Sequence, residues 1–222
     1  MDYNQKENFK AFCHYLGLGT INSKIWFVGI EEGGQAVSEL NISEQLENCR
    51  IQKSDIKTVS GKTQVWNTMS KLIHEKYFDL IQLNYQAYRD KLFNKDFPYF
   101  FSIELLPLPR PNNSSWPEDY PKLFGYKKTE YSKYLSDVRL IRYPDIYKNW
   151  IKAKPSLTIC YGKGYWNEFI DLFGLADSTF EKINGGRLKY FPKENVILSY
   201  FFSNRSLHNK DNDVLRKLIA KV

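Results

Sequence analysis

The residues able to do chemistry fall in four clusters, each directly after an apolar run. The first is Gly29-Ile30-Glu31-Glu32-Gly33-Gly34. Its glycines let the backbone turn sharply and approach a ligand closely. Two carboxylates in a tight turn repel each other, which raises the pKa of one. A carboxylate tuned in this way can activate water as a general base. The same two glutamates would also suit a helix N-terminus, where negative charge complements the dipole. The second cluster, Leu106 to Trp116, is a proline-stiffened loop bearing Arg110, Asn112 and Trp116. It can offer hydrogen bonds and a stacking ring to a phosphodiester chain, or Trp116 can plug the edge of a core. The third, Gly162-Lys163-Gly164-Tyr165-Trp166, places small residues at a helix entrance. This suits an anion site and equally suits close strand–helix packing. The fourth, Phe201 to His208, holds Phe201, Phe202, Ser203, Asn204, Arg205 and His208. The polar groups can grip a phosphate while the rings pack a base. Alternatively, the rings belong to the core and the rest leads into a helix. His14 and His74 fall in helical patterns and read as structural.

These clusters need elements to position them. Ile25–Val28 is a continuous apolar run ending at Gly29, the mark of a strand buried on both faces. Tyr99–Leu106, Leu157–Tyr161 and Val196–Tyr200 read as three more strands. Pro107 to Pro121 is expected to end the second ladder. Helical patterns cover residues 5–16, 37–47, 64–76, 84–93, 130–152 (with a break before Pro144), 164–173 and 212–220, the last capped by Asp211 or Asn212. A hairpin is expected around Asn184-Gly185-Gly186, with Leu188–Phe191 as its return strand. Buried-type strands separated by helices predict an α/β fold with three layers, α/β/α, around a central four-stranded parallel sheet. Ligands of such sheets bind at the carboxyl ends of the strands, where the four clusters lie.

The chain has 222 residues, enough for one ordinary domain, and 1–222 is read as one. Lys+Arg 32 against Asp+Glu 25 gives a formal +7, and 16% of residues are aromatic. Both favour a polyanionic partner. Residues 125–155 concentrate this pattern, with eight Lys/Arg, three Asp/Glu and six aromatics. Phosphates would meet the cations there and exposed bases the rings. The three cysteines form no CxxC pair, which excludes paired-cysteine zinc sites and a single-chain four-cysteine iron–sulfur cluster. They read as small buried hydrophobes in a reducing, cytoplasmic setting. No metal or cofactor is expected. Gly61-Lys62-Thr63 lacks the upstream glycine of a phosphate-binding loop, since Ile56 stands there. The glycines from Gly162 fail the dinucleotide fingerprint at Asn167. No apolar run spans a membrane and none forms an N-terminal signal core.

The order and spacing of these clusters resemble the uracil-DNA glycosylase superfamily over roughly residues 24–222, with residues 1–20 as an added N-terminal helix. Ile25–Gly33 (IWFVGIEEG) is similar in placement to that family's first motif, with Glu31 where an Asp or Asn positions the attacking water. Pro107–Asn112 (PLPRPN) resembles its proline- and arginine-bearing segment, and Thr158–Trp166 (TICYGKGYW) its third strand and turn. Ser199–Arg205 (SYFFSNR) aligns with the second motif, Ser203 matching the motif serine, Phe201 replacing the catalytic His or Asn, and Phe202 the proline. The resemblance implies a monomer that binds single-stranded or damaged duplex DNA and hydrolyses the N-glycosidic bond of a flipped-out base. Glu31, with Glu32 in reserve, would activate water, and His208 or Asn204 would supply the hydrogen bond that Phe201 cannot. Phe201, Phe202, Trp116, Ser203, Arg205, Arg110, Asn112, Gly33, Gly162 and Lys163 would contact substrate. The missing His equally implies a non-catalytic nucleic-acid or nucleotide binder on the same fold.

Overall fold

All four apolar runs become strands of one mixed sheet. The structure, a computed structural model, describes residues 1–33, 36–52, 64–81, 99–112, 114–203 and 206–222, apart from the side chains of residues 32, 75 and 77–81. The helix expected over 84–93, the discarded Gly61-Lys62-Thr63 and the proposed contacts Asn204 and Arg205 lie outside the described residues. The strands are β1 (Leu18–Gly19), β2 (Ile25–Gly33), β3 (Phe101–Arg110), β4 (Leu157–Tyr161), β5 (Glu181–Ile183), β6 (Leu188–Phe191) and β7 (Val196–Ser199). Their order is β1-β3-β2-β4-β7-β6-β5. β2, β4 and β7 run parallel, while β1 pairs antiparallel with β3, β6 with β7, and β5 with β6. The fold is therefore α/β as expected, with a seven-stranded mixed sheet in which the Asn184–Gly186 hairpin adds the antiparallel edge.

The helices are α1 (Tyr3–His14), α2 (Ile42–Arg50), α3 (Gln64–Ile81), α4 (Tyr120–Phe124), α5 (Tyr131–Ala153), α6 (Trp166–Leu172) and α7 (Asn209–Ala220). Asp2 and Gln5 form a reciprocal capping box that starts α1, each side chain accepting from the other's backbone N–H at 2.8 Å.

The chain divides into two compact units. Met1–Gly17, Gly29–Lys53 and Ile103–Lys152 form the first, and Leu18–Val28, Ser54–Ser102 and Ala153–Val222 the second. The second is built on strand alternation. Ile25, Phe27, Leu157, Ile159, Tyr161, Leu188 and Ile197 share one buried cluster with Met69, Leu72 and Ile73 of α3 and Leu215 and Ile219 of α7. The intervening residues Trp26, Val28, Thr158, Cys160 and Leu198 are also fully buried, so this stretch is covered on both faces. Gly19 is required where β1 meets β3: its φ is +87°, and a Cβ would lie 2.5 Å from the Phe100 carbonyl oxygen.

The first unit gathers rings and one buried cation. Phe9, Tyr126 and Tyr134 pack edge-on or tilted, with centroids 5.0–5.9 Å apart. Arg142, 2% exposed, donates to four backbone carbonyls: Glu104 at 2.9 Å, Phe12 at 3.2 Å, Cys13 at 2.8 Å and Tyr15 at 2.6 Å. Three of these lie at the C-terminal end of α1, where a cation complements the dipole.

Helix ends shift by a few residues, as for Ile42–Arg50 against the expected 37–47 and Asn209–Ala220 against 212–220, and three further differences have a specific cause. β2 continues through Gly33, so Glu31 lies in a strand and not in a turn; its charge is met by Arg110 of β3, which lets an acidic residue stay extended. β3 runs through Pro107 and Pro109 to Arg110. Proline removes a donor but keeps its carbonyl and an extended backbone, and Leu106, Leu108 and Arg110, which flank the prolines, stay buried. α5 passes Pro144 without a break. Pro144 lies on the exposed side of that helix, and Leu140, whose carbonyl it cannot reach, is 72% exposed.

Candidate functional site

Glu31 and Arg110, separated by 79 positions, are brought together in the first unit. Arg110 Nε and Nη2 donate to the two carboxylate oxygens of Glu31, each at 2.5 Å. The side chains are 4% and 5% exposed. A fork of this kind is the strongest arrangement available to a carboxylate and a guanidinium. Rings flank the cation, with its Cζ 5.6 Å from the Trp116 centroid and 5.1 Å from that of Tyr131. Arg110 Nη1 also donates to the Ser115 carbonyl at 3.3 Å. Burial pushes the Glu31 carboxyl above its ordinary value, outweighing the downward pull of Arg110. Arg110 stays charged: the Glu31 hydrogen bonds and charge more than offset its own burial.

Trp116 serves this unit as a packed ring. It meets Tyr120, Tyr131 and Tyr134 edge-on at 5.4–5.8 Å, and its Nε1 donates to the Tyr126 carbonyl at 2.9 Å. Tyr120 donates its hydroxyl to the Pro109 carbonyl. Asn112 is exposed and closes the loop as an Asx turn, its Oδ1 accepting from the N–H of Ser114 at 3.1 Å and of Ser115 at 2.9 Å.

The second unit holds the ends of β4 and β7. These parallel neighbours pair Cys160 with Leu198 and Tyr161 with Ser199, so their carboxyl ends lie side by side. The Ser199 carbonyl accepts from Gly162 N–H and from Trp166 Nε1, both at 3.0 Å. Gly162 has φ +127°, a conformation open mainly to glycine. The two rings after β7 divide their work. Phe202 is fully buried and stacks on Tyr161 at 4.5 Å and 15°. Phe201 is 40% exposed. The Ser203 carbonyl accepts from the N–H of Ser206 and Leu207, turning the chain towards α7. Lys163 is exposed, with its Nζ 5.0 Å from the Tyr200 ring centroid.

No protein-family model and no curated protein matches this chain. The site therefore rests on its geometry.

Asp211 carries a role that the sequence reading placed elsewhere. The residue capping α7 is His208, which is exposed, and Asp211 sits in the first turn. The buried Asp211 carboxylate accepts from His208 N–H at 3.0 Å, Asn184 Nδ2 at 2.9 Å and Arg187 Nε at 2.9 Å. Burial opposes its charge, but these donors together hold its pKa below the ordinary value. Arg187 also donates to the Ser206 carbonyl and lies 4.3 Å from the Tyr200 ring centroid. Asp211 thus ties the hairpin to the loop after β7. The three-residue step from His208 to Asp211, a helix-start spacing, was the available signal.

The basic segment 125–155 separates by direction. Tyr126, Tyr134 and Arg142 are buried, and Tyr126 donates to Asp137 Oδ2 at 2.8 Å. Lys133, Lys148 and Lys152 are exposed on α5. The interleaving seen in sequence is therefore in part a helix that buries Tyr134 and Arg142 and exposes Lys133, Lys148, Lys152 and Tyr147. Cys13, Cys49 and Cys160 are buried thiols, as expected. Among the described residues, no group of His, Cys, Asp and Glu could hold a metal ion, and no helix is long and apolar enough to cross a membrane.

Proposed function

We propose that this chain is a nucleic-acid-binding protein on a uracil-DNA glycosylase-like frame, with DNA as its ligand. The observation that carries the reading is the cluster at the carboxyl ends of β4 and β7. There Lys163 stands over Tyr200, Phe201 is exposed, and Phe202 is buried on Tyr161. Carboxyl ends of parallel strands are where α/β sheets bind ligands. A cation for phosphate and a ring for a base are what a nucleotide needs. The parallel run β2-β4-β7, with β3 beyond β2, supports the four-stranded core that the resemblance implies.

In this reading Glu31 is a structural partner and not a base. Both of its oxygens accept from Arg110 and its side chain is only 4% exposed, so its charge is engaged in a buried pair away from solvent. Phe201 supplies no hydrogen bond to a departing base. The second reading, a glycosylase, is favoured by one observation, the raised pKa of Glu31, since burial of a carboxyl is how acid–base groups are tuned.

A base-release assay separates the two. Labelled single- and double-stranded oligonucleotides carrying uracil, hypoxanthine, xanthine or a mismatch are incubated with wild type and Glu31→Gln, then cleaved by alkali at abasic sites. The binding reading expects retention of the oligonucleotide with no cleavage by either protein. Cleavage by wild type that disappears in Glu31→Gln replaces it with the glycosylase.

A further inference from the structure

We infer that the Lys182–Lys189 edge of the β5–β6 hairpin is a contact surface for single-stranded nucleic acid. Lys182 and Lys189 are direct cross-strand partners in this antiparallel pair. Opposed residues hold their Cβ atoms about 5 Å apart, and like charges there are unfavourable. Such a pair concentrates positive charge at the sheet edge, which a bound anion would relieve. Among the described residues, neither lysine has a carboxylate within ion-pair distance. Glu181 offers none on this face, because it opposes Tyr190 and alternates with Lys182.

Rings surround these cations. Lys189 Nζ lies 5.2 Å from the Trp166 centroid and 4.8 Å from that of Phe180. Phe180 is two residues before Lys182, packs on Phe191 at 5.4 Å, and is 41% exposed. Trp166 meets Tyr200 edge-on at 6.0 Å, which links this row to Lys163. The row thus runs Phe180–Lys189–Trp166–Tyr200–Lys163 within the second unit, with Trp166 buried beneath it and Phe180 exposed at its hairpin end. Cations spaced along a groove follow a phosphate chain, and exposed rings stack bases regardless of sequence. Only unpaired bases can lie on Phe180 or Phe201, so the ligand is single-stranded. The inference rests on the nucleic-acid reading above and adds to it a surface and a strandedness.

The test is fluorescence anisotropy with labelled oligo-dT, oligo-U and a duplex of equal length, across a salt series. The proteins are wild type, Lys182→Ala, Lys189→Ala and Phe180→Ala, with Lys133→Ala and Lys152→Ala on α5 as controls. Thermal melts check that each variant is folded. Each hairpin lysine variant should reduce the slope of log K against log salt by about 0.7. Phe180→Ala should weaken single-strand binding by about 5- to 150-fold, and the controls should match wild type. Single strands should bind more tightly than duplex, and the oligo-U arm tells whether RNA competes with DNA. Wild-type slopes in both hairpin lysine variants, or duplex bound better than single strand, overturn the inference while leaving the nucleic-acid reading in place. Absence of salt-dependent binding by wild type overturns both.

Discussion

Replacing Arg110 by methionine should leave a fold that is much less stable and more so the higher the pH. The substitution removes both 2.5 Å donors from Glu31, a carboxylate 4% exposed. Breaking a buried pair by deleting one partner costs about 3–5 kcal/mol, because the remaining charge is stranded. For a chain of this length each kcal/mol moves the melting temperature by about 2–4 °C, so the expected loss is roughly 6–20 °C. The sign with pH follows from burial, which already raises the Glu31 carboxyl above its ordinary 4.5. A carboxyl raised in the folded state favours folding below its unfolded pKa, and that contribution is lost as pH rises through the folded pKa. Without Arg110 the rise is greater, so the deficit should be smallest near pH 4.5 and grow as pH rises. The double variant Glu31→Met/Arg110→Met removes both charges and should be more stable than either single variant. Urea titrations and thermal melts of the four proteins close the cycle. An Arg110→Met protein within about 1 kcal/mol of wild type at pH 7, or a double variant weaker than both singles, refutes a structural ion pair of this kind.

Arg142→Leu should cost about 3 kcal/mol or more in urea unfolding, since it takes a charged donor from four carbonyls, three of them at the end of α1. The Asp211 carboxyl is depressed below its ordinary 3.8, so its contribution is present above that pH and lost as pH falls through the lower, folded value. The stability gap between wild type and Asp211→Asn should therefore be constant from pH 5 to 7 and narrow below about pH 3.8; a gap unchanged at pH 2.5 contradicts the assignment. Burial pushes the Cys13 thiol up to about 12 and also raises that of Cys160. Native protein at pH 8 should leave both unmodified by iodoacetamide, while protein in urea should react fully; rapid native labelling of Cys13 would show that its burial is wrong.

Much of the architecture was legible in the apolar runs. Leu157–Tyr161 is β4 with the bounds expected, and Asn184-Gly185-Gly186 turns the expected hairpin, all three residues having positive φ. Continuous apolar strands announce themselves because burial on both faces leaves no polar positions. Where the expectations failed, a tertiary partner overrode a local rule. Glu31 reads as a turn residue until Arg110, 79 positions away, neutralises it inside a strand. Pro144 reads as a helix break until its exposure lets solvent satisfy the freed carbonyl. Over 125–155 burial takes Tyr126, Tyr134 and Arg142 and leaves Lys133, Lys148, Lys152 and Tyr147 outside, a division that composition cannot show. The hairpin lysines were invisible as a pair, because cross-strand register, not spacing, places Lys182 opposite Lys189.

The most direct test of the central claim is equilibrium binding of wild-type protein to labelled oligo-dT between 50 and 300 mM salt, with the bound oligonucleotide recovered and checked for base loss (about a sixfold salt range, wide enough to fix a slope). The account predicts affinity that falls steadily with salt, at a slope of about −0.7 for each phosphate neutralised, and an intact oligonucleotide at the end. Binding that is absent or indifferent to salt would contradict it.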